Sequence, residues 1–197
     1  MSIAIRQGAV TLLLLLAACA PRYTLVPPAT VAVAKKTMHV RPGIAWNRVP
    51  RGKHDIAWEE NWTQNGVALD TIGFIGALPD GHAIVKQRRR ADQKVPVFRA
   101  TMSPQDLVAM IESYYRIRAG AAVFETRGVT PATFLGAAGL QFDFAYVGAD
   151  EVKRRGRAVV AVVDGKFYCL SLDGAELHYF DAAFPDFADM VASATRG

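Results

Sequence analysis

One stretch in mid-chain has a clear helical period. Leu107, Met110, Ile111, Tyr114 and Ile117 recur at three- and four-residue spacing and form one apolar stripe. Ser103-Pro104-Gln105-Asp106 opens it. Ser is a good N-cap, Pro suits the first helical position, and Asp106 lies at the positive end of the dipole. Arg116 and Arg118 fall in the last turn, and Gly120 ends the helix. A shorter amphipathic helix is predicted over Pro185–Ala194, with Phe184, Phe187 and Val191 on one side.

Elsewhere the pattern alternates or runs continuously apolar, as strands do. Thr37–Val49 alternates around Pro42-Gly43, which predicts two strands and a turn. Asp55–Thr63, the pair Asn65-Gly66 and Val67–Ile75 read as a hairpin. Pro79-Asp80-Gly81 marks a turn before a short strand over His82–Val85. After the long helix, strands are predicted over Ala121–Thr126, Leu140–Val147, Arg157–Val163, Lys166–Leu172 and Glu176–Phe180. Phe142, Phe144 and Tyr146 share one face. Asp164-Gly165 and Asp173-Gly174 supply turns. Strands joined by tight turns pair antiparallel, because parallel neighbours need a long crossover. The expected class is α+β: an antiparallel sheet with one long mid-chain helix and a short C-terminal helix, in one domain over 37–197. This order loosely resembles the PsbP-like fold, a likeness that implies architecture and not function.

The N-terminus follows another logic. Arg6 precedes an apolar run from Ala9 to Ala18, and small residues lead to Cys19. This predicts a secretory signal over 1–18. The run of about ten is too short for a membrane span, which needs roughly 20 apolar residues. Leu16-Ala17-Ala18-Cys19 resembles the lipobox of bacterial lipoproteins. The resemblance implies that Cys19 is acylated, becomes the first mature residue and ties the chain to a membrane through its lipid. Ala20, where the inner-membrane members of that group usually carry Asp, implies the outer membrane and a periplasm-facing body. An ordinary secretory signal followed by a cysteine is the alternative. Residues 19–36 contain Pro21, Pro27 and Pro28 and are expected to form an extended tether.

Composition narrows the classes further. Hydrophobic residues at 51% and charged residues at 21% exclude a wholly disordered chain and a charge-rich coiled coil. Two cysteines exclude a disulfide-stapled mini-protein. Cys169 lies in a strand-like run and reads as a buried, inert thiol. The formal net charge is +5, or +4 once Arg6 leaves with the signal. Arg88-Arg89-Arg90 and Lys153-Arg154-Arg155-Gly156-Arg157 suit an anionic envelope polymer or head group, or simply solvate sheet edges. Nucleic acid is not an expected partner for an exported protein.

Catalytic templates are missing. There is no Gly-x-Ser-x-Gly elbow, no His-Glu-x-x-His, no phosphate loop and no dinucleotide fingerprint. His39, His54, His82 and His178 lack metal-ligand spacing, and neither metal nor cofactor is expected. Gly136-Ala137-Ala138-Gly139 reads as a bend or close approach more readily than as an anion nest.

The most distinctive stretch joins Ala45-Trp46-Asn47-Arg48 to a segment from Glu59 to Asp70. Its pattern, Trp-Asn … Trp-Thr-x-x-Gly-x-x-Leu-Asp, resembles a group of uncharacterised proteobacterial envelope lipoproteins over roughly Thr37 to Met102. That resemblance implies location and fold, not activity. Trp46, Trp58 and Trp62 could serve a core or an exposed binding surface; Asp70, Arg88, Arg89 and Arg90 join them in the second case. The expected function is a non-catalytic binding or structural module whose partner is an envelope protein or anionic polymer. The alternatives are a small periplasmic hydrolase built on Asp70, His82 and Asp143, or a carrier with an apolar cavity.

Overall fold

The near-continuous apolar runs at Ala158–Val163 and Phe167–Leu172 arise because one sheet is covered on both faces. In a computed structural model, which describes residues 22–53, 55–86 and 95–197, these runs are the centres of β9 (Lys153–Val163) and β10 (Lys166–Ala175). Asp164-Gly165 joins them with φ of 49° and 71°, the pair of positive values that a type I′ hairpin turn requires. The sheet continues on either side with antiparallel neighbours. Its order is β1 (Thr24–Val26), β4 (Trp46–Arg48), β5 (Glu59–Thr63), β6 (Asp70–Pro79), β10, β9, β8 (Ala137–Val147) and β7 (Val123–Phe134). A small second sheet holds β2 (Val31–Val33), β3 (Met38–Val40) and β11 (Thr195–Arg196).

Each face has its own core. α1 (Pro104–Arg118) begins with the expected cap: the Ser103 hydroxyl accepts from the Asp106 amide at 3.2 Å, and the Asp106 carboxylate accepts from the Ser103 amide at 2.9 Å. It buries Leu107, Met110, Ile111 and Tyr115 against Phe142, Phe144, Val160 and Phe167. α2 (Tyr179–Ser193) and the small sheet cover the other face, where Phe187 and Met190 meet Trp46, Trp62, Phe74 and Leu170. The alternation along β10 serves both: Phe167 and Cys169 face α1, while Tyr168, Leu170 and Leu172 face α2.

The α+β class, the mid-chain helix and the antiparallel sheet are as expected; several boundaries differ. The two strands flanking Pro42-Gly43 do not pair with each other, since β3 joins the small sheet and β4 the large one. The tether expected over 19–36 is already part of the body from Thr24, where β1 pairs with β4; β2 then pairs with β3. Apolar alternation in Leu25-Val26 and Val31-Ala32-Val33 outweighs the neighbouring prolines, which fall between the strands. Asp173-Gly174 continues β10 instead of turning, Glu176–Phe180 is not a strand, and α2 starts at Tyr179 with Pro185 inside it. His82–Val85 contributes only an isolated bridge from Ala83 to Val97. Gly136 closes the β7–β8 hairpin, and Gly139 meets β9 so closely that a Cβ there would lie 2.2 Å from the Val160 carbonyl oxygen. The expected signal over 1–18, Cys19, His54 and Arg88–Arg90 lie outside the described residues.

Candidate ligand-binding cleft

On the α1 side of β10 the side chains change character along the strand. Phe167 and Cys169 lie under the helix, and Ser171 and Asp173 follow them at the same alternation. The neighbouring strands show the same shift: Phe144 gives way to Tyr146 on β8, and Val160 to Arg154 on β9. α1 ends at Arg118, so the polar end of the sheet is left uncovered. A cleft of about 590 Å³ opens there, walled by the end of α1, the loop after β4 and the loop between β5 and β6.

Asp173 is the centre of its floor. It is 8% exposed, and its carboxylate accepts from the Tyr146 hydroxyl at 2.7 Å and the Tyr115 hydroxyl at 3.2 Å. Burial pushes this carboxyl up to about 6, against the pull of both tyrosines and the Arg154 charge. The same burial, with the Asp173 charge, raises both tyrosine hydroxyls well above their usual value. The Tyr115 hydroxyl also lies 3.4 Å from Ser171 Oγ.

Two guanidinium groups brace the walls. Arg154 holds Asp150 through two bonds of 2.9 and 2.6 Å and donates at 2.8 Å to the Ala68 carbonyl across the cleft mouth. Its hydrogen bond keeps the Asp150 carboxyl well below the usual carboxylate range. Arg118 contacts Asp55 at 2.6 Å and Glu59 at 3.2 Å. Glu59 Oε1 also accepts from the Tyr114 hydroxyl at 2.7 Å and from Asn61 Nδ2 at 3.0 Å. Glu59 Oε2 is buried with no hydrogen-bond partner among the described residues. Below the cleft, a recess of about 10 Å³ between Glu59, Asn61, Gly73 and Ser171 has room for one water.

The residues singled out from sequence do not assemble. Trp46 and Trp62 are fully buried, so they belong to the core and not to a binding surface. Trp46 Nε1 donates to Asp186 at 2.6 Å and Trp62 Nε1 to Glu60 at 2.8 Å. Trp58 is half-buried, edge-on to His82 at 4.9 Å and under the Lys35 ammonium at 5.1 Å, away from the cleft lining. Asp70 is also buried and accepts from Thr63, Gln64 and Asn65, which secures the turn between β5 and β6. Asp70 opens β6 and His82 follows its far end, while Asp143 pairs with Arg157 three strands away. The hydrolase constellation of Asp70, His82 and Asp143 is therefore not brought together. Cys169 is buried, and desolvation pushes its thiol up to about 12. Within the basic run Arg154 lines the cleft, Arg155 pairs with Asp181, Arg157 pairs with Asp143, and Lys153 is exposed. Among the described residues, no group of three or more His, Cys, Asp or Glu side chains is placed to hold a metal ion. None of their helices is long and apolar enough to cross a membrane.

The cleft residues escaped sequence reading because Asp173-Gly174 looks like a turn. The available signal was Ser171 and Asp173 continuing the period of Phe167 and Cys169 in a strand that is otherwise apolar.

No family model matches this chain, and no curated protein matches it. Solved structures do. Cyanobacterial PsbP (CyanoP) from Synechocystis sp. PCC 6803 aligns with a TM-score of 0.55 at 13% identity, covering 90% of this chain and 94% of that one. LpqN of Mycobacterium tuberculosis, involved in cell envelope biogenesis, aligns with a TM-score of 0.36 at 12% identity, covering 89% of this chain and 90% of that one. The first likeness shows the fold: the body is an α+β domain of the PsbP type.

Proposed function

We propose that this chain is a lipid-anchored protein of the bacterial cell envelope whose body is a non-catalytic binding module, with its ligand site in the cleft beyond α1. The observation that carries the binding reading is the cleft itself. It offers about 590 Å³ over a floor of buried, hydrogen-bonded polar groups, the form of a small-molecule site. Its charged lining suits a polar ligand better than a purely apolar cargo.

The anchor reading rests on the signal pattern and on Leu16-Ala17-Ala18-Cys19. Thr24 follows Cys19 by five residues, so acyl chains on Cys19 would lie within about 20 Å of the first strand. That geometry holds the body against the leaflet instead of on a long tether. Ala20 supports the outer membrane, with the body in the periplasm.

Two measurements test the proposal. Labelling with radioactive palmitate should mark the chain and fail in Cys19→Ala; unlabelled wild type would sink the anchor. Amide shifts recorded against a mixed set of cationic, neutral and anionic fragments should change around Gly73, Ser171 and Asp173. Ala68→Trp, at an exposed position on the cleft mouth, should abolish those changes. Shifts confined to other surfaces would remove the cleft as the site.

A further inference from the structure

The cleft is acidic although the chain is basic. Asp55, Glu59, Asp150 and Asp173 surround it, against Arg118 and Arg154. Both guanidinium groups are already committed. Arg154 is bonded to Asp150, and Arg118 is shared between Asp55 and Glu59. That leaves Asp173, among the described residues, with neutral hydroxyls as its hydrogen-bond donors. It also leaves Glu59 Oε2 buried and unpartnered at the inner recess. An unpartnered buried acceptor is costly, so Glu59 Oε2 calls for a donor from outside the chain, and the Asp173 carboxylate has acceptor capacity left beside it.

Gly73 shows where such a donor fits. Glycine keeps the β6 face low under Ser171 Oγ and Asn61 Oδ1, and a Cβ built there would crowd them at 2.9 and 3.3 Å. Asn61, Ser171 and Asp173 line the cleft together with Gly73, so acceptors stand over that glycine. Asn61 Nδ2 is committed to Glu59, which leaves Oδ1 on the Gly73 side. Ser171 and Asp173 are joined through the Tyr115 hydroxyl, so the acceptors form one group. A primary ammonium carries three donors and no acceptor, and here it would meet a carboxylate, a hydroxyl oxygen and an amide oxygen. Val49, Pro50, Val67 and Ala149 line the outer cleft and would receive an apolar chain.

Resting on the reading of the cleft as a binding site, we propose that its ligand is an organic ammonium ion, the charged end seated over Gly73 between Asn61, Ser171 and Asp173 and an apolar chain directed outward.

The test uses three probes of one shape: n-butylammonium, n-butanol and n-butanoate. Each is titrated into the full chain purified from membranes in mild detergent, with amide shifts as the readout. Butylammonium should saturate with a dissociation constant on the order of millimolar or tighter. Butanol should bind at least tenfold more weakly, and butanoate should not bind. Gly73→Ala, whose methyl group crowds Ser171 Oγ and Asn61 Oδ1 from below, should weaken butylammonium at least tenfold. Ser171→Ala should weaken it several-fold while the far-ultraviolet spectrum stays unchanged, so the assignment does not depend on one variant folding. If butanol or butanoate binds as tightly and is blocked by Ala68→Trp, the cleft is a site and the ammonium assignment is overturned. If butylammonium binds but Gly73→Ala, Ser171→Ala and Ala68→Trp leave it unchanged, its position is overturned. If none of the three probes saturates, the ammonium assignment and the binding reading both fall.

Discussion

Asp70 and Asp173 are buried carboxylates on adjoining strands, in register positions one step apart, and they face opposite sides of the sheet. Asp70 is saturated. It takes a hydroxyl from Thr63, backbone amides from Gln64 and Asn65, and the side-chain amide of Asn65. Those donors come from one tight loop, so the carboxylate and the turn define each other. Asp173 takes two tyrosine hydroxyls among the described residues and opens on a cleft. The α2 side follows the first rule throughout. Asp186 accepts from Trp46 Nε1 and the Gly43 amide, and Glu60 from Trp62 Nε1 and the Ala34 amide. The cleft follows the second, with Glu59 Oε2 left unpaired. Burial alone does not separate a structural acid from a binding acid; the supply of donors does.

A buried carboxylate with no donor at all should do the most damage. Val160 is fully buried at the centre of β9, among Ala158, Leu140 and Phe167. Val160→Asp should cost more than about 5 kcal/mol and abolish the cooperative unfolding transition. An unchanged melting curve would contradict the placement of that strand. Removing the saturated acid comes next. Asp70→Ala leaves the loop donors of Thr63, Gln64 and Asn65 without their acceptor, and should cost about 3 kcal/mol by denaturant titration. A loss under about 0.5 kcal/mol would show that the turn holds itself.

The undersupplied acid should behave differently, and its signature is pH dependence. Asp173 titrates near 6 when folded, above its value of 3.8 in the unfolded chain. Between those values the folded state keeps a proton that the unfolded state has released. The protonated carboxyl therefore contributes stability in full below pH 3.8, and the contribution is lost as pH rises through 6. Asp173→Asn cannot titrate. The variant should gain on wild type by about 2 to 3 kcal/mol between pH 4 and pH 7, measured by urea unfolding. A difference that stays flat with pH would mean that Asp173 is as well supplied as Asp70.

The fold was largely legible because it follows local rules. The capping box at Ser103 and Asp106 and the stripe from Leu107 onward define α1. Asp164-Gly165, between two apolar runs, defines the central hairpin. Boundaries were lost where two signals compete. Asp173-Gly174 has turn chemistry, yet β10 carries it on to Ala175, because both residues pair with β6 and with β9. That same misreading hid the cleft. Trp46 and Trp62 were conspicuous in the sequence, but their indole nitrogens are satisfied inside the core, and tryptophan content cannot tell a core from a surface. Glu59 and Asn61 lie on β5, Ser171 and Asp173 on β10 with β6 between them, and they meet only through register, which sequence spacing does not encode.

The undersupplied acids beyond α1 are the proposed site where this module meets its ligand. The most direct measurement is an amide-shift titration of the chain with butylammonium, beside the Ala68→Trp variant. Wild type should show saturable shifts centred on Asn61, Gly73, Ser171 and Asp173, and the variant should show none. Shifts centred on Trp58 and His82, or none that saturate, would contradict that site.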